Sequence, residues 1–204
     1  MNMLKMLYYR LKNKKNRKKS FSFSPEHAIV KPTEDLIEKR RRFYSRAKEG
    51  QAMATVFDVA NWFLHKESMD HKKLQKLCYY SQAWSLALNG KKLIDEEFEA
   101  WVHGPVNRAL WNSLRDYGYS NINPDALNGR ARPLDSSSIQ LLEKVWATYK
   151  DLNGFQLENL THRELPWIQA RGNLAPYEPS NSIIRKDTMK MYYRSLISAE
   201  GVGE

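Results

Sequence analysis

Two clusters in this chain combine a histidine with residues that fix the backbone around it. The first reads Glu99-Ala-Trp101-Val-His103-Gly104-Pro105-Val106, and the second reads Thr161-His162-Arg-Glu-Leu-Pro166-Trp167. An imidazole titrates near neutral pH, so His103 and His162 are the side chains suited to general acid–base work. Such work also needs a polar triad or paired carboxylates to orient the ring, and these are not evident. Gly104 permits a sharp backbone turn, Pro105 fixes the start of a following helix, and Trp101 and His103 project from one side of an extended run. Thr161 or His162 can bond free backbone groups at a helix end, while Pro166 sets the direction of Trp167. Both clusters are therefore expected to shape the fold and cap helices. No catalytic residue is assigned, and the chain is not expected to be an enzyme.

The other chemically capable residues are weaker. Cys78 lies on an apolar helical face with no histidine near it in sequence, which reads as core rather than nucleophile. His65 and His71 flank a helix break, with His71 beside Asp70; that reads as a solvated polar junction, not a metal pair. No Gly-rich loop opens a helix after a strand, as a nucleotide site would require. Neither a cofactor nor a metal is expected.

The elements that must position these clusters are mostly helical. Val56, Phe57, Val59, Ala60, Trp62, Phe63 and Leu64 form a short apolar helix with Thr55 as its cap. Asp70 caps a longer helix carrying Leu74, Leu77, Cys78, Ser81, Trp84, Ala87 and Leu88 in a stripe, stopped by Asn89-Gly90. Tyr79, Tyr80 and Gln82 fall beside that stripe. Phe98, Ala100 and Val102 alternate with Glu97, Glu99 and Trp101, as a short strand would. Gly104-Pro105 then opens a helix bearing Val106, Leu110, Trp111 and Leu114. Residues 117–133 read as a long connecting loop. Asp135 or Ser136 caps an amphipathic helix with Ile139, Leu142, Val145, Trp146 and Tyr149, closed by Asn153-Gly154. One or two helical turns follow at Phe155 to Leu160, then an irregular stretch with Pro166, Gly172, Pro176 and Pro179. Asp187 to Leu196 forms the last helix.

Charge divides the chain in two. Of 33 Lys/Arg and 23 Asp/Glu, residues 1–52 hold 15 and 5, leaving 18 of each sign in residues 53–204. All six Trp lie in the second part. The fold expected is mainly α: a compact helical single domain over residues 53–204 with at most a short strand pair. A basic, largely disordered segment over residues 1–52 precedes it, with a short helix at most from Thr33 to Lys48. That segment would bind phosphate nonspecifically, so DNA is a candidate partner and a nucleic-acid-binding regulator is the alternative function. Against that, the folded part is neutral and shows no DNA-reading motif. No apolar run is long enough to span a bilayer, and no membrane partner is expected. The single cysteine excludes an internal disulfide framework, and no secretory signal is read, so the expected location is cytoplasmic.

Four motifs in order resemble one family. They are Phe57-Asp-Val-Ala60-Asn-Trp-Phe63-Leu, then Lys73-Leu-Gln75-Lys-Leu77-Cys-Tyr79-Tyr80-Ser-Gln82-Ala-Trp84, then Phe98-Glu-Ala-Trp101-Val-His-Gly104-Pro105-Val106, and Thr161-His162 with Pro166-Trp167. Residues 53–204 resemble the Panacea domain, also called the SocA-like or phage GepA-like domain. The resemblance implies a mainly helical antitoxin of a bacterial or prophage toxin–antitoxin pair that binds a cognate toxin protein directly. At least one branch of the family works as an adaptor that presents its toxin to an AAA+ protease, so the resemblance makes such a protease a candidate partner. Trp, Tyr and Arg concentrate binding energy in interfaces. Tyr79, Tyr80, Trp101, Tyr117, Tyr119 and Trp167, read as partly exposed, are therefore the candidates for toxin contact, with His103 and His162. Gly104, Pro105, Thr161 and Pro166 shape the motifs. Exposed aromatics could equally serve a homodimer.

Residues 1–52 lie outside the resemblance, although family members often carry added N-terminal segments that bear on partner choice. Lys48-Glu49-Gly50 can be encoded by a purine-rich stretch resembling a bacterial ribosome-binding site, with Met53 just beyond a two-residue spacer. Residues 1–52 are accordingly also read as an over-extended gene model or a minor translation product.

Overall fold

Thr55 begins the first helix, α1 (Val56–Leu64), through a reciprocal cap: its hydroxyl accepts the Asp58 N–H and the Asp58 carboxylate accepts the Thr55 N–H. Such a cap is worth about 1 kcal/mol. Asp58 is almost wholly buried and has further work. It accepts the backbone N–H of Arg132 at 2.6 Å and the Arg132 guanidinium at 3.1 Å, tying a distant loop to α1. Burial pushes the Asp58 carboxyl up, but these hydrogen bonds outweigh it and hold it below the usual range. The computed structural model describes residues 53–198, and the readings made of residues 1–52 lie outside it.

Asp70 caps α2 (His71–Asn89) by accepting the Lys73 N–H at 2.7 Å, and Gly90 ends it at φ 70°. Every residue from 73 to 87 is buried, because α1 and four later helices all pack on α2. This overturns the one-sided stripe. A helix buried all round is normally apolar all round, yet α2 carries Lys73, Gln75, Lys76, Gln82 and Ser85 in the interior. Each of them is spent on the backbone of a segment that α2 holds. The Gln82 amide donates to Ile94 O at 2.9 Å and accepts from Leu93 and Ile94 N–H at 2.8 and 3.1 Å. Gln75 pairs in the same two-way manner with Asn107, donating at 3.2 Å and accepting at 2.8 Å. Ser85 donates to Lys91 O, Lys73 to Lys150 O and Lys76 to Pro105 O. Buried polar groups satisfied in this way specify how the loops seat.

Tyr79 and Tyr80 are fully buried, which corrects their reading as partly exposed. Tyr80 stacks on Tyr149 at 4.1 Å, and Tyr79 meets Phe98 edge-on at 5.6 Å. Trp84 donates its indole N–H to the Tyr149 hydroxyl at 2.9 Å.

The strand at Glu99 exists as β1 (Glu99–Trp101), but Gly104-Pro105 does not open a helix. It forms β2 (Gly104–Val106), antiparallel to β1 with Ala100 opposite Pro105. The pairing explains how a proline fits a strand. The Ala100 N–H points away from β2 and donates to Ser182 O at 2.8 Å, so the position opposite it needs no N–H. The helix starts later, as α3 (Arg108–Leu114), with Asn107 accepting the Leu110 N–H at 2.9 Å.

Two 3-10 turns, Arg115–Tyr117 and Pro124–Leu127, lie in and just before the connecting loop. Asp135 caps α4 (Ser136–Tyr149) by accepting two N–H groups at 2.8 Å. Asn153 does not close α4; with Gln156 it makes a reciprocal cap that opens α5 (Gly154–Thr161). Pro166 sits in the first turn of α6 (Leu165–Arg171), and α7 (Lys186–Ser198) completes the described chain. Ile184 donates to Phe98 O at 2.8 Å, so the segment before α7 flanks β1 on the side away from β2. The fold is mainly helical, with one two-stranded sheet among the described residues. Among those residues no helix is long and apolar enough to cross a membrane.

Candidate functional site

The two sequence clusters meet in space at the β1–β2 hairpin. Gly104 turns at φ +92° with no room for a side chain: a Cβ there would lie 2.6 Å from Lys76 Cε and 2.8 Å from Thr161 Oγ1. The hairpin tip thus rests on α2 and the end of α5. Lys76 Nζ reaches up to Pro105 O at 3.2 Å, and full burial pulls its amine down to about 7. Glu158, Lys72 and Asp70 are the charges it feels. Thr161 donates to Glu158 O at 2.8 Å and so closes the end of α5, as its sequence position suggested.

His103 is exposed at the tip, and Nδ1 lies 2.9 Å from Glu158 Oε1. Glu158 is buried and also ion-paired with Lys72. Burial pushes the Glu158 carboxyl up, but Lys72 and His103 win and hold it low. The sequence did not show the carboxylate that pairs with His103 because 55 positions separate Glu158 from it. The arrangement can orient an imidazole. Glu158 is at the same time fully engaged as the anchor of the tip to α5.

His162 is half-buried and stacks flat on Trp167, centroids 4.1 Å apart. Burial lowers its basicity, helped by the Lys76 and Arg171 charges and opposed by Glu158. Trp167 is buried, correcting its reading as exposed. Its indole N–H donates to Trp101 O at 3.0 Å, and the Arg171 guanidinium lies 5.0 Å over the ring. Arg171 itself donates to Ala100 O, Ala175 O, Pro176 O and Glu178 O. It is the hub of the segment that follows α6.

Trp101 remains half-exposed beside groups that sequence reading did not select. Its indole N–H donates to Glu99 at 2.7 Å; Glu99 also receives Arg108 in a two-pronged pair at 2.8 and 2.6 Å. Arg108 lies 5.3 Å over the Trp101 ring, and half-buried Trp111 packs edge-on at 5.4 Å. Trp111 was read only as an apolar position of a helix, and Arg108 was not singled out at all. Trp101, His103 and Arg108 form one wall of an open cleft of about 290 Å³, and Pro179, Ser180 and Asn181 form the other. Tyr117 is half-buried against the core and Tyr119 is fully exposed; neither lines this cleft.

Cys78 is buried and its thiol is pushed far up by burial. The His65 ring bonds the Asn61 carbonyl oxygen at 2.9 Å. Among the described residues, no group of three or more His, Cys, Asp or Glu could hold a metal ion.

Residues 74–168 match the model of a family described as the antitoxin SocA-like, Panacea domain. The match runs from α2 to α6, taking in the hairpin, Glu158 and Trp167. No curated protein and no solved structure matches the chain.

Proposed function

We propose that this chain is the antitoxin of a toxin–antitoxin pair and silences a toxin protein by binding it, without chemistry of its own. The observation that carries the reading is the match of residues 74–168 to an antitoxin family model. It is supported by the surface next to the hairpin. Trp101, Arg108 and Trp111 are the residue types that concentrate binding energy, and here Arg108 and Trp111 both pack against Trp101 in a prearranged group. The motif histidines are spent on the fold: His103 on the hairpin tip and His162 on Trp167. We place the activity in the cytoplasm.

The test is growth rescue. Reading frames neighbouring the gene are induced alone and with this chain, started at Met1 and at Met53. Rescue of a toxic neighbour, with the two proteins co-purifying, is the expected result. A toxic neighbour that is neither bound nor rescued overturns the reading. Delivery of the toxin to an AAA+ protease is a finer form of the same contact; it requires toxin levels to fall only in cells that have the protease.

The charge of residues 1–52 favours a second reading, promoter binding through that segment. It predicts a salt-sensitive DNA mobility shift that vanishes when residues 1–52 are deleted.

A further inference from the structure

The cleft beside the hairpin has one wall inside the family-matched segment and one outside it. Trp101, His103 and Arg108 fall within residues 74–168, whereas Pro179, Ser180 and Asn181 follow the matched range. We propose that this cleft receives one uncharged apolar side chain from an extended segment of the toxin, and that residues 179–181 select which side chain fits. The proposal rests on the antitoxin reading and names the contact that reading needs.

Size is the first argument. At about 290 Å³ the cleft sits at the lower edge of the range of small-molecule sites, roughly 300–1,000 Å³, and it is open to solvent rather than enclosing. It suits a side chain presented by a protein surface better than a metabolite that must be enclosed.

Charge is the second argument. The polar side chains on the hairpin wall are already matched. Arg108 is clasped by Glu99 and His103 is held by Glu158. An acidic occupant would have to compete with Glu99 for Arg108, and a basic one would meet the Arg108 guanidinium. What is left for contact is the part of the Trp101 indole that Arg108 does not cover, the Val102 side chain, the Pro179 ring, and the small polar groups of Ser180 and Asn181. That surface is complementary to an apolar side chain flanked by its own backbone amides.

The walls are also held in place before anything binds. Trp167 fixes the backbone of Trp101 from behind, and Arg171 collects the carbonyls of Ala175, Pro176 and Glu178 just ahead of Pro179. A preformed cleft lowers the ordering cost of binding.

The test uses the full chain, immobilised, and a phage library of random peptides as the probe. Enriched peptides sharing one Leu, Met, Phe or Ile position are expected. Their affinity should be insensitive to salt, as for an uncharged anchor. Ser180→Trp, which fills the cleft, and Asn181→Trp, at an exposed position where folding is safe, should each weaken binding about tenfold or more. Met191→Ala, at an exposed residue of α7 outside the cleft, should not change it. No enrichment, or peptides that bind both tryptophan variants as well as the parent chain, overturns the cleft assignment. The antitoxin reading is judged separately: if both tryptophan variants still rescue growth from the toxin, the cleft is discarded and the antitoxin reading stands.

Discussion

The indole N–H of Trp167 reaches 3.0 Å to the carbonyl oxygen of Trp101, and so joins α6 to the hairpin that carries the exposed aromatic group. Trp167→Phe keeps most of the ring stacked between His162 and Arg171 but removes the donor. A single hydrogen bond of this kind contributes about 0.5–1.5 kcal/mol. Trp167→Ala also forfeits the buried ring, at about 3–5 kcal/mol. Urea denaturation of both variants checks the ranking. If Phe and Ala are equally destabilising, the hydrogen bond rather than the ring dominates and the packing argument fails.

Gly104→Ala sets a methyl group against Lys76 Cε and Thr161 Oγ1 at a positive φ. Left-handed backbone costs an alanine about 1–2 kcal/mol, and overpacking adds roughly 1–3 kcal/mol. Thr161→Ser should not relieve the clash, because Oγ1 stays. Lys76→Ala in the same chain should relieve part of it, since Cε is the nearest atom. Non-additive melting temperatures in that double variant are the expected signature.

Two buried ionisable groups give stability opposite slopes with pH. Glu164 accepts hydrogen bonds from the Tyr80 and Tyr193 hydroxyls at 3.2 and 2.6 Å, yet full burial raises its carboxyl from 4.5 to about 8. Between those values the native state holds a proton that the unfolded chain releases, so stability falls as pH rises from 4.5 to about 8. Lys76 behaves inversely. Its amine drops from 10.5 to about 7, the unfolded chain holds the extra proton between them, and stability rises over that interval. At about 1.4 kcal/mol per pH unit, each limb amounts to a few kcal/mol. Together they predict a dip in stability between about 7 and 8. Glu164→Gln should flatten the acid limb, and Lys76→Met the alkaline one. Denaturation midpoints measured from pH 5 to pH 10, ~0.5 unit apart, read this directly; parallel curves for parent and variants would refute it.

What the sequence revealed follows from how local each signal is. The caps at Thr55, Asp70 and Asp135 and the stop at Gly90 were legible, because each joins residues within three or four positions. The mainly helical class came from the same short-range patterns. The burial of α2 on all sides was not legible. Lys76, Gln75 and Gln82 look like a solvent face until their partners appear 29, 32 and 12 positions away. Tyr79 and Tyr80 were misplaced for that reason. Pro105 misled differently: proline at a helix start is common, and its place in β2 depends on Ser182 drawing off the Ala100 N–H from the far side. At the candidate site, Trp101 and His103 were readable as a motif, whereas Glu158, Arg108 and the 179–181 wall belong to it only through the fold.

Arg171 offers the sharpest test of how the outer cleft wall is built. Its guanidinium serves four carbonyls, with contacts of 2.7 Å to both Ala175 O and Glu178 O, while lying over Trp167. A lysine keeps the charge but has one nitrogen and no planar fork, so it cannot span acceptors on β1 and on the later segment together. Carbonyls stranded in the interior cost about 1–3 kcal/mol. Arg171→Lys is therefore expected to loosen the segment around residues 172–182 more than it lowers global stability. Hydrogen exchange separates the two effects. The Ala100 and Ile184 amides, which pair β1 with that segment, should exchange faster in the variant. Amides within α1, remote from Arg171 in the packing, should be unchanged. Uniform acceleration through α1 would mean that Arg171 supports the whole fold, and the wall-building role would have to be withdrawn.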